Sequence, residues 1–181
     1  ESLNKAAQTY TEELIALHVS GRLKVAPEHT QDEVLKQMRK PSFSQFGQFK
    51  KIFDKVNRQY GLNQQLIPYF ISSHPGCTEA DMAGITKSLH FQLEQVQDFT
   101  PTPMTLATEM YYTGYHPYTL EKVYTARSKE QKLAQRQFFF WYKPESRRQI
   151  MQVLQKMGRK DLIEKLFGQR GDMNPAPRKR R

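Results

Sequence analysis

Polar side chains that could contact a cofactor or a substrate stand directly after two apolar runs of this sequence. Glu28 and His29 follow the short extended run of residues 22–26, and His74 follows the apolar run of residues 66–71. Sites in α/β folds lie at the carboxyl ends of strands, which favours a ligand-binding role for Glu28 and His29. The alternatives are that Glu28 caps a helix or pairs with Lys24, and that His74 has a structural role in its turn.

Asp98 and Cys77 are two further candidates. Asp98 lies inside a third predicted strand, where an unpaired carboxylate is costly to bury, so we expect it to face a partner or a pocket. Cys77 is the one cysteine of the chain. It cannot form an internal disulfide, and by itself it cannot hold zinc or an iron–sulfur cluster. A small buried cysteine that fills a turn is the favoured interpretation.

The elements that must position these residues alternate between strands and helices. Apolar spacing predicts an opening amphipathic helix that ends before Gly21, and strands over residues 22–26, 66–71 and 94–99. Pro68 favours an edge position for the second strand, because proline lacks a ladder donor. Two helix starts carry a polar pair at the capping-box spacing, Thr30 with Glu33 and Ser42 with Gln45, and Thr78 and Asp81 flank a third helix start. This alternation predicts βαβ units and a parallel sheet.

The last third of the chain reads as helical. Ser128 with Gln131 predicts a capped helix that runs into the aromatic cluster at residues 138–142, and Pro144 opens a helix that ends at Gly158. The aromatic cluster could stack on nucleic-acid bases. A core or docking role is favoured, because large aromatic side chains dominate the energetics of burial.

Composition indicates a globular chain that lies in the cytoplasm. Hydrophobic residues make up 38% of the 181 residues and charged residues 25%, and no apolar run approaches the roughly 18 residues of a membrane span. A net charge of +10 is typical of proteins that bind nucleic acid, which raises the hypothesis that this chain does so. Much of that charge lies in residues 169–181, which contain five arginines and lysines against Asp172. We expect a solvated, disordered tail there.

Three segments that follow the predicted strands resemble the later strand exits of a radical SAM barrel. They read Lys-Val-Ala-Pro-Glu-His-Thr at residues 24–30, Ser-Ser-His-Pro-Gly-Cys-Thr at 72–78, and Gln-Asp-Phe-Thr-Pro-Thr-Pro at 97–103. In that order, and with Met-Tyr-Tyr-Thr-Gly at 110–114, they are most similar to the YgiQ-type family. The resemblance covers the chain from its first helix to about Gly168.

The resemblance implies an α/β fold, the C-terminal half of a partial parallel (β/α)6 radical SAM barrel followed by a small helical segment. The intact protein would bind a [4Fe-4S] cluster through a Cys-x3-Cys-x2-Cys loop and cleave S-adenosylmethionine to a radical that abstracts hydrogen from an unknown substrate. This chain lacks that loop, so we expect no cofactor in it and no activity from it alone. Its expected partner is the N-terminal half of the same protein.

The resemblance also implies where the cofactor would bind. The candidate residues lie at the three strand exits: Glu28, His29, Ile71, Ser73, His74, Cys77, Asp98, Thr100 and Thr102. Ile71 matches a hydrophobic residue that packs near the adenine, and Ser73 matches a position that is usually glycine. Cys77 replaces the family's usual glutamate, and its thiol could be accessible to the radical.

Three organisational expectations follow. The barrel half would cover residues 1–117, the helical segment 118–167 and the basic tail 168–181. The three exits would lie at one edge of the sheet, with helices on one face. The other face would be partly open, because the first half of the barrel is missing. We expect it to be covered by the C-terminal helices or by self-association, or to show voids. The competing hypothesis is that the C-terminal helices bind RNA or protein through residues 138–142 and four arginines: Arg127, Arg136, Arg147 and Arg148.

Overall fold

The computed structural model describes residues 5–88, 93 and 96–168. The elements along the chain are α1 (Lys5–Glu13) with a π-helical turn (Leu14–His18), β1 (Arg22–Glu28), α2 (Asp32–Gln37), α3 (Phe43–Gln59), β2 (Gln65–Ser72), α4 (Glu79–Ser88), β3 (Val96–Asp98), α5 (Leu106–Thr113), α6 (Lys129–Arg136) with a 3-10 turn (Gln137–Phe140), α7 (Pro144–Lys156) and α8 (Lys160–Phe167). The predicted tail lies outside the described residues. Among the helices described, none is both long and apolar enough to cross a membrane.

The three strands form one parallel sheet in the order β1-β2-β3. Leu23 of β1 lies opposite Leu66 of β2, and Phe70 of β2 lies opposite Val96 of β3. Both strand pairs are parallel. The predicted parallel α/β arrangement is therefore confirmed for this part of the chain.

Pro68 lies in the central strand, so the edge position that it favoured is wrong. Pro68 pairs with Val25, and the register between β1 and β2 shifts immediately afterwards, before Glu28 pairs with Phe70. A proline is tolerated where ladder pairing is irregular, because its missing N–H breaks no regular hydrogen bond there. The irregularity in β1 thus accommodates the proline.

One face of the sheet carries the hydrophobic core. Phe70 is fully buried in a cluster with α2, α4 and the C-terminal helices, and its ring centroid lies 5.7 Å from that of Phe139. Leu23 and Leu66 pack against a second, smaller cluster formed by the π-helical turn and α3. The C-terminal helices and the strands therefore share one core.

The opposite face of the sheet is only half-buried. Side chains alternate across a strand, so Ile67, Tyr69 and Ile71 point away from Phe70. Among the described residues, these three belong to neither core cluster. The C-terminal helices pack on the Phe70 side, so of the three alternatives for the open face, coverage by these helices is the one that the structure excludes.

Two of the predicted helix starts have reciprocal hydrogen bonds between side chain and backbone. Ser128 and Gln131 form a capping box at the start of α6. At the start of α4, the Thr78 N–H donates to Asp81 Oδ2 at 2.8 Å, and the Asp81 N–H donates to Thr78 Oγ1 at 3.3 Å. These caps satisfy backbone donors that a helix leaves unpaired.

The other two helix starts differ from the prediction. Thr30 is not a cap: Gln31 precedes α2, and no side chain caps it. Thr30 Oγ1 instead accepts a hydrogen bond from Gln31 Nε2 at 3.2 Å. Ser42 does cap α3, but its hydroxyl accepts from the Ser44 N–H and not from Gln45.

Candidate functional site

The exits of the three strands lie at one edge of the sheet, as predicted. Glu28, Ser72 and Asp98 are the last residues of β1, β2 and β3, and the strands run parallel. Ser72 Oγ donates to Asp98 Oδ1, and the Phe99 N–H donates to the Ser72 carbonyl at 2.8 Å. The second and third exits are therefore joined directly.

Two of the exits have left-handed backbone at residues other than glycine. Glu28 has a φ of 61° and Ser73 a φ of 60°. Such conformations cost roughly 1–3 kcal/mol and gather at functional sites, where the surrounding structure holds them. A left-handed φ also explains why the position of Ser73 suits glycine. Among the residues that the structure describes, the buried Ser73 Oγ has no hydrogen-bond partner.

Glu28 is held by a lysine, although not by the one considered from the sequence. Its Oε1 lies 3.2 Å from Lys40 Nζ, in the loop between α2 and α3. The left-handed backbone at Glu28 turns the chain out of β1 at this point. The carboxylate therefore pairs with Lys40, and the alternative that it pairs with Lys24 is wrong.

His29 and Cys77 meet inside the core. His29 is fully buried, and its Nδ1 accepts the Gln31 N–H at 3.1 Å. The proton of the neutral ring therefore sits on Nε2, which lies 3.5 Å from Cys77 Sγ. Burial lowers the pKa of His29 to about 4 and raises the pKa of the Cys77 thiol. At neutral pH both groups are uncharged, and Cys77 belongs to the main core cluster.

His74 and Asp98 are engaged at the edge itself. His74 Nδ1 donates to the Pro75 carbonyl at 2.8 Å, and its ring lies edge-on to Phe99 with centroids 5.1 Å apart. Burial lowers the pKa of His74. Asp98 accepts from Ser72 and lies 3.4 Å from the guanidinium of Arg136. The expectation that Asp98 faces a partner is confirmed.

The remaining candidates do not form one pocket with these residues. Ile71 lies opposite Gln97 on the half-buried face of the sheet, away from the core that holds Cys77. Thr100 Oγ1 donates to the Asp98 carbonyl at 3.4 Å. The Thr102 carbonyl accepts from the hydroxyls of two threonines at the start of α5, Thr105 and Thr108. The nine candidates therefore share an edge but divide between two faces of the sheet.

Gln135 is a residue that the sequence gave no reason to select. It is fully buried, although α6 is otherwise rich in charged and polar residues. Its Oε1 accepts the Ser73 N–H at 3.1 Å, and its Nε2 donates to the Cys77 carbonyl at 2.7 Å. The polar sequence of α6 predicts that its glutamines face solvent. The two hydrogen bonds of Gln135 are evident only from the tertiary structure.

The aromatic cluster that motivated an RNA hypothesis lies largely inside the protein. Phe138 and Phe139 are fully buried in the main core, so they cannot stack on bases. Three of the four arginines are also engaged: Arg127 with the Tyr112 carbonyl, Arg136 with Asp98, and Arg147 with the ring of Phe167. The favoured core role of the cluster is confirmed for its first two rings.

In the part of the chain that the structure describes, the predicted site is neither a metal centre nor the cavity beside β1. Within the described residues, no group of three or more His, Cys, Asp and Glu side chains could hold a metal ion. A cavity of about 470 Å³ lies beside β1 and is lined by Val25, Pro27 and three phenylalanines of α3: Phe43, Phe46 and Phe49. None of the nine candidate residues lines it.

Comparison with known proteins identifies homologous segments of longer chains. Residues 94–171 match the model of a domain of unknown function, DUF3362. A UPF0313 protein of Bacteroides thetaiotaomicron is 67% identical over 92% of this chain, and one of Porphyromonas gingivalis is 67% identical over 91%. A UPF0313 protein of Clostridium perfringens is 46% identical over 86%.

The matched region is a small part of each relative. The chain spans 27%, 26% and 24% of the lengths of these three proteins, about a quarter in each case. No solved structure matches the chain significantly. The similarity therefore concerns one segment of a longer protein.

Proposed function

We propose that this chain is a segment of a UPF0313 protein, the YgiQ-type family, and that it forms the C-terminal half of a radical SAM barrel. The intact protein would bind a [4Fe-4S] cluster and S-adenosylmethionine and start radical chemistry on a substrate that the chain does not identify. The region that matches DUF3362, residues 94–171, would include β3 and α5 of the barrel half as well as the C-terminal helices.

The arrangement of the three motif-bearing exits carries this proposal. Parallel neighbours β1, β2 and β3 bring Glu28, Ser73 and Thr100 to one edge, and helices pack on one face of the sheet. A βα-barrel wall has these properties, because its helices lie outside and its active site lies at the carboxyl ends of the strands. The half-buried face with Ile67 and Ile71 would then line the barrel interior.

The residues of this chain do not fit the iron–sulfur cluster. Cys77 is the single cysteine, it is fully buried, and burial raises the pKa of its thiol. A [4Fe-4S] cluster is held by several cysteine thiolates. The ligands must therefore come from another part of the intact protein.

The exit of β2 does fit a role in holding S-adenosylmethionine. Ile71 offers an apolar surface at the end of the half-buried face. Two residues further along the chain, the buried Ser73 hydroxyl lacks a hydrogen-bond partner among the described residues. We assign Ile71 to contact with the adenine and the Ser73 turn to the polar part of the nucleoside. When bound with the cluster, S-adenosylmethionine supplies the radical, and these residues orient it and exclude water.

A pair of isoleucines on one face of β2 offers a sharp test. Ile71 lies at the exit edge, and Ile67 lies four residues earlier on the same face, about 13 Å away at the rise of a strand. In the full-length protein, reconstituted anaerobically and reduced, 5′-deoxyadenosine formation reports cofactor cleavage. Ile71→Ser should raise KM for S-adenosylmethionine about tenfold, whereas Ile67→Ser should leave it within about twofold.

Two results would contradict the proposal. Full-length protein with an intact, reduced cluster that forms no 5′-deoxyadenosine would exclude the reaction. If Ile71→Ser and Ile67→Ser change the KM for S-adenosylmethionine equally, the nucleoside does not bind at the exit of β2.

A further inference from the structure

We propose that Gln135 of α6 is a positioning residue: it holds the exit turn of β2, residues 73–77, in the shape that binds the ligand. Through Gln135, the C-terminal helices would take part in binding S-adenosylmethionine. This inference rests on the proposed function, because it assigns to those helices a role at the same site.

One side chain fixes both ends of the turn. Gln135 Oε1 accepts the Ser73 N–H at 3.1 Å, and Gln135 Nε2 donates to the Cys77 carbonyl at 2.7 Å. Gln135 is fully buried, and Ser73 and Cys77 are both at most 1% exposed, so water does not compete for these bonds. A buried amide with its oxygen and its nitrogen both bonded sets the distance between the two ends of the turn.

The turn needs this external support because its backbone is unfavourable at Ser73, a residue other than glycine with a left-handed φ, whereas glycine adopts such a φ without strain. Ser73 has a φ of 60° and Gly76 a φ of 88°. A bond within the turn runs from the Cys77 N–H to the His74 carbonyl at 2.9 Å. The Gly76 N–H instead donates to the carbonyl of Tyr124 at 2.8 Å, in the segment that precedes α6. Strained backbone persists where the surrounding structure holds it, and here the holding groups come from residues 124–136.

The residue next to Gln135 ties the same helix to the neighbouring exit. Arg136 lies 3.4 Å from Asp98, and Asp98 accepts the hydroxyl of Ser72. Helix α6 thus contacts the exits of both β2 and β3 through consecutive residues. A displacement of α6 would move both exits together.

The chemistry of glutamine is required at this position. An apolar replacement leaves the Ser73 N–H and the Cys77 carbonyl buried without partners, at about 1–3 kcal/mol for each group. Glutamate keeps the acceptor for Ser73 but loses the donor for Cys77. Gln137 is a matched control, because it is 6% exposed on the adjoining 3-10 turn and its Oε1 has no hydrogen-bond partner in the described part of the chain.

The experiment compares three variants in the full-length reconstituted protein: Gln135→Leu, Gln135→Glu and Gln137→Leu. Equilibrium dialysis measures the Kd for S-adenosylmethionine, and hydrogen exchange measured by mass spectrometry follows a peptide that contains the turn. Gln135→Leu should raise the Kd about tenfold or more and accelerate exchange in the turn. The Kd and the exchange rate of Gln135→Glu should lie between those of Gln135→Leu and those of the wild type. Gln137→Leu should leave both quantities within about twofold of the wild type.

The outcomes separate this inference from the proposed function. Wild-type protein that binds S-adenosylmethionine, with a Gln135→Leu variant that binds it as well as Gln137→Leu does, overturns the positioning role alone. Unchanged exchange in the turn of a folded Gln135→Leu variant also overturns it. Wild-type protein that binds no S-adenosylmethionine overturns both proposals. If Gln135→Leu does not fold, the Kd and the exchange of Gln135→Glu decide the question.

Discussion

Acid should destabilise this chain through one buried imidazole, that of His29. Its Nδ1 accepts the Gln31 N–H, so a proton added to the ring at Nδ1 would face a donor instead of an acceptor. The ring is fully buried, and the desolvation of its charged form lowers the pKa of His29 from 6.5 to about 4. The nearby carboxylate of Asp81 opposes this shift without cancelling it.

The size of the effect follows from that difference in pKa. Above pH 6.5 neither the folded nor the unfolded chain binds a proton at His29, so this group adds no pH dependence. Between pH 6.5 and about 4 the unfolded chain binds the proton and the folded chain does not. Stability therefore falls by about 1.4 kcal/mol per pH unit, to a total of about 3 kcal/mol, and the loss stays constant at lower pH.

Urea unfolding of the wild type and of His29→Gln over this pH range isolates the contribution of His29 to the pH dependence of stability. The amide of glutamine does not titrate, whereas the carboxyl groups and His74 are common to both proteins. The difference in unfolding free energy between the two proteins should therefore fall by about 3 kcal/mol from pH 7 to pH 4. A difference that is independent of pH would refute the buried, neutral assignment of His29.

Three further predictions concern the turn and its cysteine. Ser73→Gly should raise the free energy of unfolding by up to about 1 kcal/mol, because glycine adopts the observed φ of 60° without strain, and a loss of stability in urea unfolding would contradict this. Cys77 should react with iodoacetamide only when the chain unfolds, since its thiol is buried and its pKa is raised; mass spectrometry that detects rapid labelling in native buffer would count against it. The chain alone, reconstituted anaerobically with iron and sulfide, should hold no stable cluster, because Cys77 is its single cysteine, and a stoichiometric absorption band from bound cluster would overturn that expectation.

Much of the fold could be predicted because apolar spacing reports which residues are buried. The continuous apolar run at residues 66–71 lies within β2, and the Ser128 capping box starts α6. The sequence could not place Pro68 in the central strand, because a proline is tolerated there only through the irregular register between β1 and β2. It could not exclude Thr30 as a cap either, because Thr30 is engaged by the side chain of Gln31.

The candidate site was predictable as an edge but not as a pocket. Parallel strands bring their carboxyl ends together, and this determines where Glu28, Ser73 and Thr100 lie. The direction of each side chain depends on the left-handed residues at the exits, which spacing does not reveal. Gln135 was missed for a different reason: its contacts with the turn cross 62 and 58 residues of sequence.

That sequence separation has a consequence for the order of folding. The exit turn of β2 is held by bonds from Tyr124 and Gln135, so local contacts alone do not complete it. Contacts between residues distant in sequence form late, because the intervening chain must first lose its conformational freedom. During synthesis at roughly 5–20 residues per second, Gln135 emerges several seconds after the turn that it holds. The edge of the sheet therefore takes its final shape only after α6 has been made and has docked.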